Sequence, residues 1–183
     1  MLTFMGNCQT ACLTFYFQQL LDDVYWIPYG EELKPHLGEW SNKVKNQILD
    51  DNLALDILRK SDVIIYQEVT KRKSLYSNTK TLHEIKKESC RLIKLPSIHL
   101  DYTNYDASLR ELKNREAENN VDVKVSTIFE RHGDKRLMLT IGHPNTFLLL
   151  EVVDDLCKVL NIDTLSELKR AVFLRDNNYM KLP

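Results

Sequence analysis

Phe4-Met5-Gly6-Asn7-Cys8-Gln9-Thr10 is the stretch on which the reading of this chain turns, because it puts a glycine and a cysteine at the end of an apolar run. Upstream, Met1-Leu2-Thr3-Phe4-Met5 reads as a buried strand. Downstream, Leu13, Phe17, Leu20 and Leu21 recur at helical spacing, so the segment reads as an amphipathic helix. Cys8 then sits where a parallel sheet releases its first strand and the first helix begins. Backbone N–H groups are unpaired at such a point and the helix dipole favours a thiolate, which suits a reactive sulfur. The competing reading is a buried structural cysteine.

Outward from this turn, strand and helix patterns alternate. Val24-Tyr25-Trp26-Ile27 reads as a second strand, ended by Pro28-Tyr29-Gly30. Residues from about 42 to 59 read as a helix with Val44, Ile48, Leu55 and Leu58 on its inner face. Val63-Ile64-Ile65-Tyr66 is a continuous apolar run of the kind found in buried parallel strands. Thr81-Leu82-His83-Glu84 has capping-box spacing for a short helix, and Arg91-Leu92-Ile93-Lys94-Leu95 reads as a fourth strand stopped by Pro96. Residues 107–118 read as a solvated helix. Val121, Val125, Ile128 and Phe129 fit one helical face, although Val121 to Val125 also alternates like a strand; helix is favoured, from after Asn120 to Gly133. Leu137 to Ile141 leads into Gly142-His143-Pro144-Asn145, where Pro144 suits a first helical turn. Leu149, Val152, Val153, Leu156 and Leu160 form a buried stripe, and Thr164-Leu165-Ser166-Glu167 is a second capping box.

Such alternation predicts an α/β fold, a three-layer sandwich with a short, mostly parallel sheet flanked by helices. Ligands in these folds bind at the carboxyl ends of the strands, where Cys8, Gln67 and the loop after Ile98 fall. With 183 residues, five glycines and five prolines, the chain reads as one domain spanning 1–183, without linker material or repeats. A net charge of −1 leaves no global field for nucleic acid or an anionic membrane. No apolar stretch reaches bilayer length and no basic-then-apolar leader opens the chain. Cys8, Cys12, Cys90 and Cys157 lack metal-site spacing, so free thiols in the cytoplasm and no metal are expected.

A thiolate nucleophile needs a base, usually a histidine delivered by the fold. Among five histidines, His143 stands out because Gly142 and Pro144 fix the backbone around it. His99, just past a strand, is placed to line a site; His83 reads as exposed, and His36 and His132 sit in loops without a role. Donors for an oxyanion would be the N–H groups after Cys8, the Asn7 amide and Gln67 at a strand end, where a polar amide either lines a site or ties down a loop.

Gly6-Asn7-Cys8-Gln9 before a helix, the strand Asp62 to Gln67, and Thr140-Ile141-Gly142-His143-Pro144-Asn145 before an apolar helix together resemble the WcbI-like family. These are acyltransferases of capsular polysaccharide biosynthesis, similar to SGNH/GDSL hydrolases in sheet architecture and associated with coenzyme A. The resemblance implies an acetyl- or acyltransferase with Cys8 and His143 together at the active site. Asn7, Gln9 and Gln67 would build the oxyanion pocket or hold its shape. It also implies acyl-coenzyme A as donor and a carbohydrate hydroxyl as acceptor. Its phosphates would need cations: Lys71-Arg72-Lys73 or the group Arg131, Lys135 and Arg136, with Gly6 and Asn145 as further contacts. Tyr102 and Tyr105 are placed either to stack on an adenine or sugar ring or to pack at the surface.

Two departures from the family pattern stand out. Position 142 is Gly where members usually read Asn-His-Pro, and Thr140 and Ile141 occupy the region where an SGNH hydrolase carries its acid. Glu68 is a candidate partner for His143. Two other classes remain on the same scaffold. One is an esterase or thioesterase, which needs only water as acceptor. The other is a non-catalytic module that binds coenzyme A or sugar.

Overall fold

The computed structural model describes residues 1–29, 43–67 and 79–175. By chain contacts they divide into two compact units, Met1–Ser97 and Ile98–Pro183.

In the first unit, β1 (Leu2–Gly6) is followed by α1 (Cys8–Phe17) and β2 (Val24–Pro28). Then come α2 (Asp51–Lys60), β3 (Val63–Gln67), α3 (Thr79–Ile85) and β4 (Arg91–Leu95). The four strands form one parallel sheet in the order β2-β1-β3-β4. Phe4 lies opposite Trp26 and Ile65, and Ile65 opposite Ile93. The inner strand β3 reads as an apolar run because helices cover both faces, whereas β4 carries Arg91 and Lys94. On one face Phe4 meets Phe17 of α1 with ring centroids 5.1 Å apart. On the other, Met5, Ile27, Ile64 and Tyr66 pack with Ala54, Ile57 and Leu58 of α2 and Leu82 of α3. A mixed α/β fold with a parallel sheet flanked by helices is thus what the alternating pattern implied.

Three sequence expectations change in this unit. The first helix is buried on nearly every side, including Gln9, Thr10 and Thr14, rather than amphipathic. The threonine hydroxyls satisfy themselves inside the helix, Thr10 Oγ1 donating to Asn7 O (2.8 Å) and Thr14 Oγ1 to Thr10 O (2.7 Å), so burial leaves no orphan. Leu20 and Leu21 lie beyond its end. The helix expected over 42–59 starts at Asp51, because Asp50 caps it by accepting from Leu53 N at 2.8 Å. The segment before it borders the sheet instead: Trp26 N donates to Asn46 O (3.0 Å) and Ile48 N to Trp26 O (2.9 Å). Val44 and Ile48 are buried from there, not from a helix face. Thr81 lies inside α3 rather than ahead of its first turn.

The second unit opens with a 3-10 turn, Tyr102–Asn104, and α4 (Tyr105–Glu118). It continues through α5 (Val125–Arg131), β5 (Met138–Thr140), β6 (His143–Pro144), α6 (Thr146–Leu160) and α7 (Glu167–Arg175). The helix expected after Asn120 begins only at Val125. Buried Glu116 of α4 accepts from Ser126 N (2.9 Å) and from the Ser126 hydroxyl, which satisfies the start of α5. Val121 and Val123 are buried from the irregular stretch ahead of it. Pro144 is not in a first helical turn. It pairs with Met138 across an antiparallel ribbon, and Asn145 caps α6 by accepting from Leu148 N at 2.9 Å. Leu149, Val152, Val153 and Leu156 form the expected stripe, while Leu160 stays half-buried. Thr164 gives its hydroxyl to Asp154, and Ser166 receives Lys169 N at 3.4 Å, so the last helix is capped two residues later than its box suggests. Among the described residues no helix is long and apolar enough to cross a membrane.

Candidate functional site

In the first unit β1 has β2 on one side and β3 on the other, so the carboxyl ends of β1 and β3 flank a topological switch point. Gly6 ends β1 there and Gln67 ends β3. Between them the backbone turns into α1. Asn7 is the N-cap, its Oδ1 accepting from Gln9 N at 2.9 Å, and its carbonyl receives Thr10 N and Ala11 N. Asn7 Nδ2 has no hydrogen-bond partner among the described residues.

Gln67 is the clamp of this turn. Its Nε2 donates to Gln9 Oε1 (2.9 Å) and Pro96 O (3.1 Å), and its Oε1 accepts from Asn7 N at 3.4 Å. Both carboxamide protons are therefore committed inside the protein, leaving neither for a substrate oxygen. Gln67 and Gln9 are buried, and the Tyr29 hydroxyl donates to the Gln67 carbonyl. Tyr29 reads in the sequence only as the end of a strand; its part in the clamp has no local signal. Gln67→Leu keeps the size but strips these bonds, leaving buried partners unsatisfied. A loss of about 2–3 kcal/mol is expected in urea denaturation, from one to three kcal/mol per orphaned buried group with partial relaxation. An unchanged midpoint would remove Gln67 from this role.

Cys8 is the first residue of α1 and half-buried. Burial raises its thiol above the ordinary value, and the Cys8 and Gln9 N–H groups that pull it down do not compensate. This corrects the expectation that the helix terminus makes a thiolate: desolvation outweighs the dipole. Cys12, one turn on, is buried and its thiol is also pushed well up, by burial first and by Cys8 second.

His143 sits in β6 of the second unit, on a short antiparallel ribbon with an irregular register between Met138 and Thr140. That irregularity lets the Thr140 hydroxyl meet His143 Nδ1 at 2.6 Å. A hydroxyl thus occupies the place where the sequence lacks an acid. Across the turn, a Cβ on Gly142 would meet His99 Nδ1 at 3.3 Å, so the His99 ring lies against that residue. Leu100 N donates to Ile141 O at 2.9 Å and Arg115 Nη2 to His99 O at 3.3 Å. Desolvation lowers His99 below the ordinary imidazole value; Arg115 and His143 act the same way and Glu111 opposes them. The unfolded chain takes a proton at this ring from about pH 6.5, and the folded protein only further down. Stability is therefore expected to fall as pH drops below that point. His99→Gln should flatten that part of the profile, and an identical slope in the variant would disprove the linkage.

The remaining candidates separate. Asn145 uses its side chain fully, Nδ2 donating to Arg136 O at 2.7 Å and Oδ1 capping α6. Arg136 reaches the carbonyls of Met138 and Leu139 (3.3 and 3.5 Å) and lies 5.8 Å above the Tyr102 ring. Tyr102 stacks on Tyr105 at 5.7 Å. Arg131 pairs with Asp155 at 3.0 Å and Lys135 sits 4.3 Å over Phe147, so both are turned to α6. Lys71, Arg72, Lys73, Glu68 and His36 lie outside the described residues. Cys8, Asn7, Gln9 and Gln67 belong to one unit, and His143, Thr140, His99, Arg136 and Asn145 to the other.

No curated protein and no solved structure matches the chain. Residues 101–165, the stretch that carries Arg136, Thr140, His143 and Asn145, match the family model described as polysaccharide biosynthesis enzyme WcbI, the family that the sequence resembles, and so support an enzymatic part in polysaccharide biosynthesis.

Proposed function

We propose that the protein is an acyltransferase that moves an acetyl or related acyl group from coenzyme A to a hydroxyl of a sugar or polysaccharide, on an SGNH-hydrolase-like scaffold. The observation that carries this reading is Cys8 at the head of α1, at the switch point and on a turn clamped by Gln67. The family match over 101–165 supports it from the other unit. It goes with a cytoplasmic location, where acyl-coenzyme A is available.

Cys8 is the nucleophile in this reading and His143 the general base. Because burial keeps Cys8 protonated near neutrality, its proton must leave during the attack. Cys8 Sγ bonds to the carbonyl carbon of the donor thioester while the base takes the thiol proton. Charge gathers on the carbonyl oxygen, where Asn7 Nδ2 and the Cys8 N–H are the available donors. The carbon–sulfur bond to the donor then breaks, and the departing sulfur takes the proton back. The acceptor hydroxyl attacks the acyl group on Cys8 in the same manner, which returns the free thiol.

Gln67 and Gln9 hold the turn in this scheme, and Gly6 lets the backbone pass between Thr10 and Gln67. A nucleotide donor needs cations for its phosphates, for which Arg136, Lys71, Arg72 and Lys73 are the candidates. Asn145 acts through Arg136, whose carbonyl it holds.

The raised Cys8 thiol favours a second route, in which His143 activates the acceptor hydroxyl for direct attack on the donor and Cys8 only lies beside the sulfur. One experiment separates the routes. The protein is incubated with acetyl-coenzyme A without acceptor, and the Cys8 peptide is read by mass spectrometry beside calorimetric titration with coenzyme A. Acetyl on Cys8 supports the covalent route. Binding without label supports the direct one. Release of free acetate marks a thioesterase, and absence of binding by folded protein overturns the transferase reading.

A further inference from the structure

The second unit holds a second imidazole that the proposed chemistry does not use. We propose that His99 is a positioning residue for His143, its ring serving as the support on which the Ile141–Gly142 turn, and through it the His143 imidazole, is set. The inference deepens the acyltransferase reading, since it concerns the group assigned as general base there.

The geometry converges on this turn from three sides. The His99 ring occupies the space beside Gly142 that a side chain would need, with Nδ1 3.3 Å and Cε1 3.4 Å from a Cβ at that position. Next to it, the backbone is pinned by Leu100 N to Ile141 O at 2.9 Å, so the irregular segment carrying His99 and the turn carrying Gly142 are tied at adjacent residues. The far side of His99 is held by α4, where Arg115 Nη2 reaches the His99 carbonyl at 3.3 Å. On the turn itself, the Thr140 hydroxyl at 2.6 Å from His143 Nδ1 selects the ring orientation, but only while the ribbon keeps its register. A ribbon of three residues against two has little stability of its own. Among the described residues it takes outside support at one end from Tyr102, whose hydroxyl accepts from Leu137 N and Met138 N, and at its tip from the His99 ring.

A Cβ at position 142 would make a tight contact with the His99 ring, which would have to give by a few tenths of an ångström. The lowered proton affinity of His99 fits the role, because a neutral ring can lie beside Arg115 and His143 without repulsion. Protonation of His99 would set its charge against the Arg115 guanidinium.

The test is spectroscopic and needs no substrate. Long-range proton–nitrogen correlation spectra of the whole protein at pH 7.5 report the His143 tautomer and the hydrogen bond at Nδ1. The wild type is expected to show one tautomer with an engaged Nδ1. His99→Ala should convert His143 to averaged tautomer signals and raise its rate of modification by diethyl pyrocarbonate at least about threefold. His99→Phe, which keeps a flat ring against Gly142, should restore the wild-type pattern. Circular dichroism melting of each variant checks that the fold survives. A folded His99→Ala protein with unchanged His143 signals would overturn the proposal, as would a His99→Phe variant that behaves like His99→Ala. Neither result would touch the transferase reading, which stands or falls on acyl transfer and coenzyme A binding.

Discussion

Cys8→Ala is expected to lose acyl transfer by about a thousand-fold or more while the protein stays folded. The size follows from removing the proposed nucleophile of the covalent route, where the residual rate would come from binding and oxyanion donors alone. The fold should tolerate the change for local reasons. Cys8 is half-buried at the first position of α1, alanine is the best helix former, and the cap made by Asn7 does not involve the Cys8 side chain. A stability change within about 1 kcal/mol is expected on these grounds. The measurement is the steady-state rate of acetyl transfer beside urea denaturation. Full turnover in Cys8→Ala would leave only the direct route, with His143 acting on the acceptor. Loss of folding would instead make Cys8 a packing residue, and the reading of the turn would have to change.

The largest effect on stability is expected at Gly6. A Cβ there would stand 2.7 Å from Thr10 Cγ2, 2.8 Å from Thr10 Oγ1 and 2.9 Å from Gln67 Oε1. Neither neighbour has room to yield. Thr10 is fully buried, its hydroxyl donating to Asn7 O and accepting from the Trp26 indole at 3.0 Å. Gln67 is held at both ends of its carboxamide. Gly6→Ala must therefore separate β1 from β3 at the switch point or break the clamp, at a cost of about 3 kcal/mol, the upper part of the range for overpacked cores. Urea denaturation reads this directly. Because the same displacement moves the head of α1, Cys8 should also become more accessible, and its alkylation by iodoacetamide should speed up. A Gly6→Ala protein as stable as the wild type, with Cys8 equally slow to react, would mean that the turn is slack.

The parts of the fold that were legible are those in which burial on two faces leaves a local mark. The inner strands β1 and β3 are mostly apolar because both of their faces are covered, and the limits of all four strands in the sequence agree with the structure to within a residue or so. Helix starts were less legible. Val44 and Ile48 have helical spacing and are buried, yet they belong to the stretch that borders β2, because the hydrogen bonds of Trp26 reach Asn46 and Ile48. Pro144 likewise favours a first helical turn by its ring, but the pairing of β5 with β6 takes it and leaves Asn145 to cap.

By itself, the sequence determined that a cysteine ends up at the head of the first helix, at the carboxyl edge of a parallel sheet. Chain order and apolar runs suffice for that, since a strand followed directly by a helix can release its connection only there. It likewise marked Gln67 as a polar group at a buried strand end. Only the tertiary structure decided what these groups are free to do. The Cys8 thiol is held in its protonated form because burial exceeds the pull of the helix terminus, and burial is a sum over neighbours distant in the chain. Gln67 is spent on Gln9, Asn7 and Pro96 because strand order brings residues some 30 to 60 positions apart to one edge. Thr140 rather than an acid meets His143, because an irregular register in a two-stranded ribbon sets which side chains face each other.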